Sequence, residues 1–93
     1  MGIDEVKEII LPILHSYKIS KAGLFGSVTR GDLKDNSDLD LLVEMDKGIS
    51  LLGFIRIKLE LEQAVGRKVD LVEYNTIKPA LKEKILKEQV KIL

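Results

Sequence analysis

Cysteine is absent from this 93-residue chain, which removes both a disulfide framework and any thiolate metal site. Aromatics are scarce. Two phenylalanines and two tyrosines, with no tryptophan, make no stacking platform for single-stranded nucleic acid. Neither sign of charge is in excess, because 15 lysines and arginines meet 15 acids. A neutral chain has no electrostatic footprint for gripping a nucleic-acid backbone. No apolar run approaches bilayer-spanning length, and MGIDEVKEII carries acids where a secretory signal has a basic region. Val6 stands where a myristoylation signal needs Ser or Thr. His15 has no second histidine at a ligand spacing, so packing or surface exposure is its expected role. Together these absences predict a cytoplasmic protein with no membrane contact.

What remains is enough for one domain over residues 1–93, with room for a single core. Ile3, Val6, Ile10 and Leu14 follow a helical spacing over 3–17, with Pro12 inside it predicting a kink or a helix in two pieces. Ile19 to Gly26 reads as a short strand ending at a Gly-Ser turn. A helical turn or two follows over 27–31, then the polar loop DLKDNSD. Leu39 to Glu44 is a second strand, ended by Asp46-Lys47-Gly48. The segment Leu51–Val65 alternates as a strand would, yet it is long and rich in helix formers. It also places Phe54, Ile57, Leu61, Ala64 and Val65 on one helical face, so a helix is predicted. Val69 to Glu73 is a third strand, Pro79 opens a last helix, and Val90 to Leu93 leaves it extended. The fold class is therefore α/β (α+β), a small mixed sheet of three to four strands packed against helices.

Chemistry concentrates in FGSVTRGDLKDNSDLDLL. Side chains alternate across a strand, so Asp38 and Asp40 share one face while Leu39, Leu41 and Val43 line the other. Two residues along a strand span roughly 6.5–7 Å, within which two carboxylates converge on one cation or bracket a pair. Asp70 interrupts the third strand in VDLV. Neighbouring strands would bring three acids to one face, where a divalent cation would offset their charge. Singly, Asp38 or Asp40 is ordinary turn material after Asn36-Ser37. Together, and with Asp70, they point to a site.

Other phosphate and metal motifs are excluded. Gly26 and Gly31 have Walker A spacing, but Asp32 and Leu33 follow where Lys and Ser or Thr are required. Asn36, Asp38 and Asp40 have calcium-loop spacing without its glycine, and Lys47 replaces the bidentate glutamate. Arg30-Gly31-Asp32 spells an adhesion tripeptide by chance. Ser27 has no His–acid pair, which argues against a hydrolase nucleophile.

Gly26-Ser27, Arg30-Gly31, Ser37-Asp38-Leu39-Asp40-Leu41 and the later Val69-Asp70-Leu71 resemble the signature of the DNA-polymerase-β-type nucleotidyltransferases. The short chain resembles their minimal prokaryotic branch, described as antitoxins. The resemblance implies that Gly26, Ser27 and Arg30 bind ATP. For Arg30 a salt bridge to Asp32 or Asp35 is the alternative. It further implies that Asp38, Asp40 and Asp70 are catalytic and hold two Mg2+ ions, with Asp70 also helping to deprotonate the attacking hydroxyl. The chain has no length for an acceptor-binding domain, so the acceptor is expected on a protein partner. In the family that partner is a helical HEPN-type ribonuclease toxin whose hydroxyl receives AMP. The alternative is a binding module of the same fold that neutralises its toxin by contact alone. Ile55 and Leu59 lie off the main apolar face of their helix, and the last helix carries two stripes, Leu81/Ile85/Ile92 and Leu86/Val90/Leu93. Both a docking surface and wider burial within the domain account for them, and a homo- or hetero-oligomer stays open.

Overall fold

The computed structural model describes residues 2–31, 37–46 and 48–93. Helix α1 (Ile3–Ser16) leads into strand β1 (Lys21–Phe25), a 3₁₀ turn (Gly26–Arg30) and strand β2 (Leu39–Glu44). Helix α2 (Leu51–Val65), strand β3 (Val69–Glu73), a second 3₁₀ turn (Tyr74–Thr76), helix α3 (Pro79–Glu88) and strand β4 (Val90–Lys91) follow. The strands form one sheet in the order β3-β2-β1-β4. β1 runs antiparallel to both β2 and β4, while β2 and β3 are parallel. Parallel neighbours require a crossover, and α2 is that crossover. The mixed four-stranded sheet agrees with the fold class predicted from the sequence.

Alternation along β2 decides which face is packed. Leu39, Leu41 and Val43 are fully buried, and Val6, Ile10 and Leu14 of α1 join Ile57, Leu61 and Val65 of α2 in the same core. The two helices are tied by Tyr17, whose hydroxyl donates to Glu60 Oε2. The end of α2 is tied to β3 by Val69 N–H donating to Glu62 Oε2 at 2.9 Å. The opposite face of the sheet is only partly covered. There Leu42 is buried, and Tyr74 lies with Lys21 Nζ 4.7 Å from its ring centroid and donates to Gln89 Oε1 at 2.5 Å.

Two expectations are corrected and one alternative is removed. Helix α1 is one continuous element across Pro12, which removes the two-piece alternative. Pro12 faces solvent, where water can serve the carbonyl its missing N–H leaves behind. In α2 the buried row is Ile57, Leu61 and Val65, with Phe54 half-buried; Ala64 is exposed because it falls off that i, i+4 row. The first strand begins at Lys21 rather than Ile19. Most of the polar loop, Asp32 to Asn36, and Lys47 lie outside the described residues.

Candidate active site

The acids gather at the N-terminal ends of two parallel strands, on the sheet face that α1 and α2 leave uncovered. β2 and β3 pair in a register that sets Leu39 beside Val69 and Asp40 beside Asp70. Residues in register on adjacent strands point the same way, so Asp40 and Asp70 are side by side. Asp38 immediately precedes β2, two residues before Asp40, and is exposed, as is Asp70; Asp40 is half-buried. The approach to β2 is held from the β3 side. Arg67 Nη1 donates to Ser37 O at 3.3 Å, and Leu39 N–H donates to Lys68 O at 2.9 Å.

Electrostatics record this crowding. The Asp40 carboxyl is held above the ordinary carboxylate range, first by desolvation and then by the charges of Asp70 and Asp38. Asp40 therefore feels both of its acidic neighbours. Among the described residues no group of three acidic or histidine side chains closes tightly enough to hold a metal ion. The arrangement is an open row rather than a cage. Such a row still suits a hard divalent cation, which commonly takes one or two carboxylates and completes its shell with substrate phosphate and water.

Gly26 and Ser27 sit beside this row because β1 pairs antiparallel with β2, setting Phe25 opposite Asp40. Gly26 opens the 3₁₀ turn with φ +76°, a left-handed conformation that suits glycine. A Cβ on Gly26 would stand 2.1 Å from Asp40 Oδ2. The carboxylate thus occupies the space a side chain would fill, a constraint on Gly26 beyond the ATP binding that the resemblance implies. Thr29 Oγ1 donates to Gly26 O at 2.7 Å and closes the turn. Ser27 is half-buried at its second position. Arg30 ends the turn and is exposed; its alternative partners Asp32 and Asp35 lie outside the described residues. Arg67 was missed entirely, since an arginine in a helix–strand connection carries no sequence signal for reaching Ser37. His15 is exposed, which is the second of the two roles expected for it.

The family model "Polymerase beta, Nucleotidyltransferase" matches residues 8–93. A Methanocaldococcus jannaschii protein named for protein adenylyltransferase activity is 46% identical over 93 residues, covering 100% of both chains. The protein adenylyltransferase MntA of Thermococcus cleftensis is 32% identical, covering 97% of this chain and 95% of its own. Among solved structures, one described as a minimal nucleotidyltransferase superposes with TM-score 0.82 at 35% identity, covering 97% of this chain and 95% of that one. A toxin–antitoxin complex with AMP-PNP contains a chain of the same fold, at TM-score 0.80 and 22% identity, covering 94% of this chain and 72% of that one.

Proposed function

The chain belongs to the polymerase-β nucleotidyltransferase family, and on that premise we propose that it is a single minimal domain that transfers AMP from ATP to a hydroxyl of a partner protein. The observation that carries this is the row Asp38, Asp40 and Asp70 on the open sheet face, next to the Gly26–Ser27 turn. Relatives named protein adenylyltransferase support the choice of a protein as acceptor. The partner we propose is a HEPN-type helical toxin, which the modified hydroxyl would silence.

In this reading Gly26 and Ser27 receive the triphosphate, with the Ser27 hydroxyl and backbone N–H directed at its terminal phosphates. Arg30, exposed at the end of the same turn, offsets phosphate charge. Asp38 and Asp40 would hold magnesium, with Asp70 as a further ligand. Bound there, magnesium would supply Lewis-acid stabilisation of charge on the attacking and leaving oxygens. Asp70 accepts the proton of the acceptor hydroxyl. The hydroxyl oxygen bonds to the α-phosphorus, the bond from that phosphorus to the bridging oxygen breaks, and pyrophosphate leaves. Exposed apolar positions on α2, Ile55 at 40% and Leu59 at 58%, offer the partner a surface on the far side of the sheet from the acids.

The test combines purified partner, ATP and Mg2+ and follows AMP addition by mass spectrometry. Asp40→Asn should abolish transfer while the complex still co-purifies; Leu59→Asp should weaken the complex. An Asp40→Asn protein that still silences the toxin fully in cells would establish neutralisation by contact instead.

A further inference from the structure

A second surface, well removed from the acids, is left unused by this reading. At the C-terminal ends of β2 and β3 lies an open cavity of about 700 Å³. Its floor is apolar, from Met45, Ile49, Leu51 and Phe54, and its rim carries Asp46 and Glu73. None of the described lining residues is basic. Glu73 is fixed in place by accepting from Asn75 N at 2.8 Å and Asn75 Nδ2 at 3.1 Å, so its charge is held at the rim. Leu51 stands 75% exposed and Ile49 39%, and with the groove floor they make a contiguous apolar surface open to solvent.

Helix α3 has the complementary character. It has no buried residue, and Leu81 is 52% exposed on it. From Lys78 to Glu88 four lysines face two glutamates, and one of those glutamates, Glu83, already pairs with Lys87 at 3.6 Å. The segment is therefore a basic amphipathic helix that does not lie in the acid-rimmed groove of its own chain. Asn75 and Thr76, on the groove wall, lead within three residues to Pro79, where α3 begins. Helix and groove are adjacent on the surface.

We propose that the chain forms a two-fold dimer in which α3 of each copy seats in the groove of the other. Opposite charges select the seat, with exposed Leu81 as the apolar contact to the groove floor. Adjacency lets one two-fold axis satisfy both seats at once, a closed arrangement rather than a growing chain. Area favours the reciprocal form as well. A ten-residue helix is about 15 Å long, and one such face falls short of the roughly 800 Å² per partner of a stable interface. Two seats double it. The acids stay open throughout, since they lie at the opposite ends of the same strands.

Sedimentation equilibrium on the full chain, across a wide concentration range, tests this. The wild type should reach twice the 10.4 kDa mass. Leu81→Asp and Leu51→Asp, both at exposed positions, should each weaken the dimer about tenfold or more, with circular dichroism unchanged. Mixing the two variants is the decisive arm. One retains an intact groove and the other an intact α3, so the mixed pair keeps one complete seat and should associate more tightly than either variant alone. A wild type that stays monomeric overturns the proposal. A dimer insensitive to both substitutions does too, and so does a mixture that regains nothing, which is the signature of like faces pairing with like. A monomeric chain that instead takes a helical partner protein into this groove would assign the surface to that partner.

Discussion

Gly26→Ala separates two demands that one glycine meets. The first is conformational: at φ +76° an alanine costs about 1–2 kcal/mol. For a domain of this size each kcal/mol lowers Tm by about 4–8 °C. The second is spatial, because the new Cβ would lie 2.1 Å from Asp40 Oδ2 and 3.1 Å from its Cγ. Restoring ordinary contact moves that oxygen by roughly 1 Å, and a misplacement of that size costs about 100-fold in rate. Gly66→Ala is the control. Gly66 has φ +73° and ends α2, yet a Cβ there would meet nothing within 4 Å. Both variants should lose comparable stability in thermal unfolding, while AMP transfer falls about 100-fold only for Gly26→Ala. The nucleotide-free protein supplies the sharper readout. Magnesium should raise the Tm of wild type and Gly66→Ala, and raise that of Gly26→Ala much less, because Asp40 is displaced before any phosphate arrives. Equal magnesium shifts in all three proteins would refute the claim that Gly26 seats the carboxylate.

Four further outcomes are expected. Calorimetric titration with ATP should show affinity that depends on magnesium, and the dependence should vanish in the Asp38→Asn/Asp40→Asn double variant. Because Asp40 holds its proton more tightly folded than unfolded, its stabilising contribution is present at pH below the ordinary carboxylate range. That contribution is lost as pH rises through its raised value. Asp40→Asn should therefore raise the neutral-pH Tm of the metal-free protein and flatten its pH dependence, while removing transfer. Leu41→Ala, at a fully buried position, should cost about 2–5 kcal/mol in denaturant unfolding. Ser50→Ala should cost about 1 kcal/mol, since Ser50 Oγ caps α2 by accepting from Gly53 N at 3.0 Å.

Periodicity made most of the fold legible, because each element carries its own signal. The alternation of Leu39, Leu41 and Val43 against Asp38 and Asp40 already divides β2 into a packed and an open face, and the burial agrees. The helix over 51–65 required choosing composition and length over alternation, and the helical alternative is the one that forms. Its rotation was less legible. Ala64 belongs to the apolar set by type, but only the row through Ile57, Leu61 and Val65 meets the sheet. Pro12 left two alternatives open, and the helix stays continuous because a solvent-facing proline forfeits one bond without breaking the helix around it. Long-range facts were invisible. Nothing local says that β2 and β3 are parallel neighbours in a register that opposes Asp40 to Asp70, or that Arg67 reaches Ser37 thirty residues away.

That register explains why the acids need the sheet at all. Asp38 and Asp40 alone are two carboxylates near a turn, free to separate. Parallel pairing with β3 is enforced by α2, whose Glu62 accepts from Val69 N–H at the start of the strand. The crossover helix thus fixes Asp70 against Asp40 through the backbone, and the desolvation of Asp40 follows from that placement. On the other flank β1 brings Gly26 so close that a side chain there would displace the Asp40 carboxylate. The packed face of the sheet, with Leu39 and Leu41 fully buried, supplies the stability that holds like charges together on the open one. Weakening that packing should therefore loosen the acid row before the chain unfolds. The proposed cation site rests, in this sense, on the hydrophobic core behind it.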